Sequence, residues 1–241
     1  MILVEGLPGT GKTTLSKNKF YLKKGKQVEL LLEGNASIPS NFHNIAGLSK
    51  KDLIKISVEI PPITETDNYT FIDLETCTKE AESLLRRYDI GDEFNKHISV
   101  REYVCCTLEW WRYWVAEKRS ESILILDSAF MQCPINEMIF RGASDSEIIK
   151  YITNIFEIIK PYNPICIYLR RESVKMAINF AKSAKGEHWA KGINSLTEMG
   201  YPDFFERRFE LENIVLSSVA NIVCNIYGYD WSDAEEKIRM L

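Results

Sequence analysis

Near the start of the chain stands Gly6-Leu7-Pro8-Gly9-Thr10-Gly11-Lys12-Thr13, followed by Thr14. Its spacing, G-x-x-x-x-G-K-[S/T], is that of a loop that holds the phosphates of a nucleoside triphosphate. Each residue type has a reason. Glycines let backbone N–H groups turn inward around a phosphate. A helix starting at the lysine adds its positive end. Lys12 reaches the outer phosphates, and the Thr13 hydroxyl can bind Mg²⁺. The loop follows the apolar Ile2-Leu3-Val4 and precedes a helical stretch, the strand-to-helix setting this chemistry needs. Gly6, Pro8, Gly9, Thr10, Gly11, Lys12, Thr13 and Thr14 are therefore the expected ATP-binding residues.

Two carboxylates fall where apolar runs end. Asp127 closes Ile123-Leu124-Ile125-Leu126, as a metal-holding acid does, so Thr13 and Asp127 are the expected Mg²⁺ ligands. Glu33 closes a second run, at the end of a strand where parallel sheets bind ligands. Either acid can serve as the base that takes a proton from an acceptor hydroxyl. Phosphoryl transfer also needs positive groups around the moving phosphate. Arg170, Arg171, Lys175, Lys182 and Lys185 follow the fourth strand, and Arg170, Lys182 and Lys185 are the expected catalytic cations. Arg207 and Arg208 are expected on the surface.

The elements that must position these groups can be read from the same sequence. Five short apolar runs, Ile2 to Glu5, Gln27 to Glu33, Ser122 to Asp127, Ile165 to Leu169 and Asn221 to Tyr227, read as buried strands separated by helices. That alternation gives a parallel sheet covered on both faces. The first crossover is a helix from about Lys12 to Lys23, closed by Gly25. The second is interrupted by residues 34–121, too long to lack structure of its own. Asn35 to Thr76 reads as loops with some extended pairing. Val104, Leu108, Trp111 and Val115 form one stripe of a helix from about Ser99 to Arg119. Further helices are expected over Asp145 to Lys160, Pro202 to Ser217, and Ser232 to Leu241, the last with Ser232 as N-cap and Glu235 completing a capping box.

Order and spacing resemble the P-loop nucleoside and nucleotide kinase group, thymidylate and deoxynucleoside kinases in particular. Glu33 matches that group's acid after strand two, without its proline. Asp127-Ser128 matches its acid–arginine pair, with serine in place of arginine. Phe140-Arg141-Gly142 is similar to its Tyr-Gln-Gly, and Asn179 replaces a lid arginine. The resemblance implies an α/β, three-layer P-loop NTPase fold with a five-stranded parallel sheet, helices on both faces and a long insertion between strands two and three. It implies one domain over 1–241, with 34–121 as an acceptor-binding cap and 171–201 as a lid.

Acceptor contacts are expected from Glu33, Asn35, Gln132, Asn136 and Arg141, and from Trp110 and Trp114 if those two rings stack on an aromatic acceptor. Tyr229, after strand five, is expected to pack the adenine. The expected activity is transfer of the γ-phosphate of ATP, with Mg²⁺, to a hydroxyl or phosphate of a nucleoside, nucleotide, metabolite or antibiotic. The alternative is a regulatory module that binds or hydrolyses a nucleoside triphosphate without such an acceptor.

Composition sets outer bounds. Of 241 residues, 45% are hydrophobic and 27% charged, with a net charge of −4, an ordinary globular balance without the basic excess of a nucleic-acid binder. His43, His97 and His188 have no metal-ligand spacing. The six cysteines form no CxxC pair and are expected reduced. There is no leader-like start and no run near the ~20 apolar residues of a membrane span. These features point to the cytoplasm, to a small-molecule partner rather than nucleic acid or membrane, and leave room for a homodimer.

Overall fold

The computed structural model describes residues 1–19, 27–35, 37–56, 62–92, 95–118, 122–186, 188–189, 192 and 199–239. Five parallel strands form the main sheet: β1 (Ile2–Gly6), β2 (Val28–Leu31), β6 (Ile123–Asp127), β7 (Ile165–Arg171) and β8 (Asn221–Ile226). They lie in the order β2-β6-β1-β7-β8, so the first strand is central and the chain winds outward to either side. The central strands are mostly apolar and buried because both faces are covered. Ile2 and Val4 pack with α1 (Lys12–Lys19) and the last helix, while Leu3 faces the larger helical layer. β7 runs two residues beyond its expected end, and β2 is shorter at both ends than its apolar run. The expected continuation of α1 to Lys23 and its closing Gly25 lie outside the described residues.

The segment between β2 and β6 has a sheet of its own. β3 (Ile45–Ser49), β4 (Thr64–Glu65) and β5 (Tyr69–Asp73) pair antiparallel in the order β3-β5-β4. Two short helices accompany them, α2 (Lys50–Leu53) and α3 (Lys79–Leu85); α2 falls where the sequence suggests only loops and extended pairing. Ala46, Leu48, Ile72, Leu74 and Leu85 give this unit a small core. It is tied to the body by α4 (Val100–Glu117), which starts at a capping box between Ser99 and Glu102. Trp111 is fully buried on the expected apolar stripe of that helix.

The large layer is completed by α5 (Gln132–Phe140), α6 (Asp145–Ile159), α7 (Val174–Lys185) and α8 (Tyr201–Leu216). α6 carries a capping box between Ser144 and Glu147. The last helix, α9 (Ser232–Arg239), begins differently from expectation. Ser232 is already helical, its N–H bonds Asp230, and the Glu235 N–H bonds the Trp231 carbonyl. Trp231 therefore stands at the cap position, and the expected box does not form. All six cysteines are free. Among the described residues, no helix is long and apolar enough to cross a membrane.

Candidate functional site

The site lies at the carboxyl edge of the main sheet, where β1, β2, β6 and β7 end together. Register explains the assembly. Val4 pairs with Asp127 on one side and with Ile167 on the other. The loop after β1 therefore begins beside the acid that ends β6.

In the loop, Gly6, Gly9 and Gly11 have φ of 139°, 78° and 92°. Gly9 is also needed for space, since a Cβ there would lie 2.2 Å from the Ala177 carbonyl oxygen of α7. The Thr10 hydroxyl closes the turn on the Leu7 carbonyl at 2.8 Å. Lys12 is buried and its ammonium bonds the Gly6 and Leu7 carbonyls at 2.9 and 3.1 Å. Burial, then the neighbouring Arg208, lowers its pKa. Pro8 is buried within the loop, and Thr14 is exposed on α1.

The Thr13 hydroxyl donates to Asp127 Oδ2 at 2.7 Å, and the Ser128 hydroxyl donates to Oδ1 at 2.9 Å. Burial raises the Asp127 pKa, with the Thr13 bond opposing it. Ser128 holds a left-handed φ of 67°, an uncommon conformation for a residue with a Cβ, stored beside the acid. A hydroxyl and a carboxylate this close can share one hard cation. Mg²⁺ fits such a pair, because it is usually held by one or two protein oxygens plus phosphates and water. Among the described residues no group of three His, Cys, Asp or Glu side chains could hold a metal ion.

Next to the loop is a cavity of about 260 Å³ at the end of β2, walled partly by the inserted unit. Glu33, Ser40, Asn41, His43, Asn136 and Glu137 supply its polar lining. Glu33 Oε1 accepts from Gln132 Nε2 at 2.6 Å. The other expected acceptor residues sit elsewhere. Asn35 is exposed and accepts from the Ser37 N–H. Arg141 buries its side chain over the Tyr103 ring and donates to the Ile90 and Asp92 carbonyls, fastening α5 to the inserted unit. Trp114 is buried and donates to the Ser37 carbonyl, while Trp110 packs edge-on against Phe42 and Phe71. Neither ring lines the cavity, because the inserted unit covers that face of α4.

The expected lid cations are held by protein groups. Arg170 bonds Asn213, Lys182 bonds the Tyr201 hydroxyl at 2.9 Å, and Lys185 lies 5.7 Å from the Trp189 ring centre. Lys175 is exposed on α7. Arg171 has the closest tie to the loop. It donates to the Gly9 carbonyl at 2.8 Å and to the Gly228 carbonyl at 2.7 Å, over the Phe180 ring. Tyr229 is 86% exposed; Trp231 instead lies against the loop, 2.3 Å from where a Gly11 Cβ would stand.

Arg208 corrects the surface expectation. It is fully buried and ion-paired with the equally buried Glu212 at 2.7 Å. One guanidinium nitrogen donates to the Gly6 carbonyl and to Gln132 Oε1, and another to Asn136 Oδ1. Its i,i+4 acid also suits a solvated helix face, which is why the pattern misleads. Only Arg207 keeps the surface role, paired with Asp145. Glu5 is a second site residue absent from the sequence-based expectations. It is buried, its two oxygens accept the Phe130 and Gln132 N–H groups, and burial pushes its pKa up to about 7. A charged residue ending a buried strand next to Gly6 is the signal that could have found it.

No protein-family model matches the chain, and no curated protein matches it.

Proposed function

We propose that the chain is a P-loop small-molecule kinase, a divergent relative of the nucleoside and nucleotide kinases, which moves the γ-phosphate of ATP to an acceptor in the cavity beside Glu33. One observation carries this reading. The loop bearing Lys12 and Thr13 meets Asp127 at hydrogen-bond distance, and Gln132 links the same edge to Glu33 at the cavity. The strand order, with β1 between β6 and β7, supports the three-layer P-loop NTPase fold.

Roles follow from what each side chain touches. Among the described residues Lys12 hydrogen-bonds only loop carbonyls, and it is the cation for the outer phosphates. Thr13 and Asp127 would hold Mg²⁺, which neutralises charge on the phosphates. Both Asp127 oxygens are engaged, whereas among the described residues Glu33 accepts a bond on Oε1 only, and it lines the cavity. Glu33 is thus the acid that faces the acceptor. The acceptor oxygen forms a bond to the γ-phosphorus, the β–γ bridging bond breaks, ADP leaves, and the hydroxyl proton passes to Glu33. A walled cavity beside the loop supports an acceptor over a regulatory module that only hydrolyses nucleotide.

The test is Lys12→Ala. Loss of a phosphate-facing donor lowers turnover about 100–1,000-fold. The fold is expected to be retained, because the hydrogen bonds of Lys12 among the described residues go to the Gly6 and Leu7 carbonyls of its own loop. ATP turnover within a few-fold of wild type would rule this reading out.

A further inference from the structure

The cavity beside Glu33 has a polarity that selects among acceptors. Arginine has only donors, so an amide that meets it must turn its oxygen toward the guanidinium. Arg208 meets two amides, Gln132 through Oε1 at 3.2 Å and Asn136 through Oδ1 at 3.3 Å. The Gln132 NH₂ is thereby aimed at Glu33, where it bonds at 2.6 Å. The Asn136 NH₂ is left for the cavity that Asn136 lines. Arg208 is itself fixed by Glu212 and the Gly6 carbonyl. It is a positioning residue: it touches no acceptor and sets which way two cavity-side amides face.

A second observation points to a ligand. Ser40 lines the same cavity and is 9% exposed, and its buried hydroxyl has no hydrogen-bond partner among the described residues. A buried hydroxyl without a partner loses solvation that a bound polar group restores.

The charged lining residues are acidic. Glu33 and Glu137 line the cavity, Glu137 ion-paired with Arg141, and no lysine or arginine is among the described residues that line it. Behind the wall, Arg208 is paired with Glu212, and Arg141 is ion-paired with Glu137 at 3.9 Å and donates through Nη2 to the Ile90 and Asp92 carbonyls. The Arg141 Nε and Nη1 have no hydrogen-bond partner among the described residues, but Arg141 is not among the residues that line the cavity. His43 is exposed at the rim. A phosphate or carboxylate entering here would approach Glu33 with no lining lysine or arginine to meet it. A protonated amine would gain a carboxylate partner.

We infer that the cavity takes a polyhydroxylated acceptor that carries no phosphate or carboxylate, and prefers one bearing a protonated amine. This rests on the phosphotransferase reading for its word "acceptor", and it narrows that reading from hydroxyl or phosphate to hydroxyl.

The experiment uses the full chain and three matched sets of small polyols: uncharged, amine-bearing and phosphomonoester. Binding is followed by backbone amide shifts of Gly91 and Asn136, with and without a non-hydrolysable Mg·ATP analogue. Uncharged and amine-bearing probes are expected to shift both amides, the amines about tenfold more tightly, the scale of a charge-assisted hydrogen bond. Glu33→Gln should remove the amine advantage. Ser40→Ala, which deletes one hydroxyl and leaves the backbone unchanged, should weaken both sets. Phosphomonoesters seated in the cavity as tightly as the amines, or no binding there by the first two sets, would overturn the inference. Failure of the ATP analogue to bind would overturn the phosphotransferase reading instead, and leaves the cavity's selectivity measurable.

Discussion

At the scale of single residues, two acids in one site are held in different ways. Asp127 is buried and bonded by Thr13 and Ser128, whereas Glu33 is exposed and, among the described residues, bonded by Gln132 alone. Asp127→Asn should therefore raise the Mg²⁺ needed for half-maximal rate, since a neutral amide is a poorer ligand for a hard cation, and added Mg²⁺ should recover part of the loss. Glu33→Gln should leave the Mg²⁺ response unchanged and slow transfer, by about 100-fold, the low end for general base catalysis. Mg²⁺ titrations at saturating ATP and acceptor check both. Rescue of Glu33→Gln but not Asp127→Asn would mean the roles are reversed. Glu5 makes a separate claim about pH. Burial lifts its carboxyl from about 4.5 to about 7, against the backbone N–H bonds it accepts. Between those values the folded protein keeps a proton that the unfolded chain has released. The stability this gives is fully present below pH 4.5 and is lost as pH rises through 7, by up to about 3 kcal/mol at ~1.36 kcal/mol per pH unit. Glu5→Gln does not titrate, so wild-type stability should fall relative to the variant between about pH 5 and 8. Parallel urea midpoints over that range would contradict it.

At the scale of elements, the loop after β1 is clamped from three sides. α7 approaches Gly9, Trp231 covers Gly11, and Arg171 bonds the Gly9 carbonyl. Gly9→Ala would place a Cβ 2.2 Å from the Ala177 oxygen and 2.5 Å from the Ala181 nitrogen, both backbone atoms. α7 must then move off the loop. Gly34 has a similar φ, +84° against +78°, but a Cβ there would meet nothing within 4 Å. Gly34→Ala therefore carries only the backbone strain, about 1 kcal/mol. Gly9→Ala should lower the melting temperature more than Gly34→Ala and weaken Mg·ATP binding as well. Equal effects of the two on stability and binding would show that contact with α7 does not matter. Strands, α4 and α6 were legible because apolar runs and amphipathic periodicity are local signals, whereas the one capping box read from sequence, Ser232 with Glu235, does not form. The antiparallel unit in residues 34–121 was legible only as extended pairing, since its strands are short and its partners distant in sequence. Trp110 and Trp114 mislead for the same reason: nothing local says that Phe42 and Phe71 will pack on Trp110, or that the Ser37 carbonyl will take the Trp114 N–H.

At the scale of the whole molecule, the five-stranded body brings the loop and Asp127 together, and the inserted unit walls the cavity beside them. The loop and the two acids could be read from sequence because strand ends collect on one edge of a parallel sheet. The Arg208–Glu212 pair could not, because its role depends on where α8 packs in the helical layer, and on nothing in its own spacing. The central claim is that the loop and the cavity form one reaction site. The most direct test is to incubate the protein with γ-labelled ATP, Mg²⁺ and a library of small polyols, and to follow label into organic product and ADP formation together. Labelled acceptor is expected, formed in step with ADP, from compounds that shift the cavity amides, and lowered about 100–1,000-fold in Lys12→Ala. ADP released at the same rate with and without every acceptor, with all label in inorganic phosphate, would contradict it.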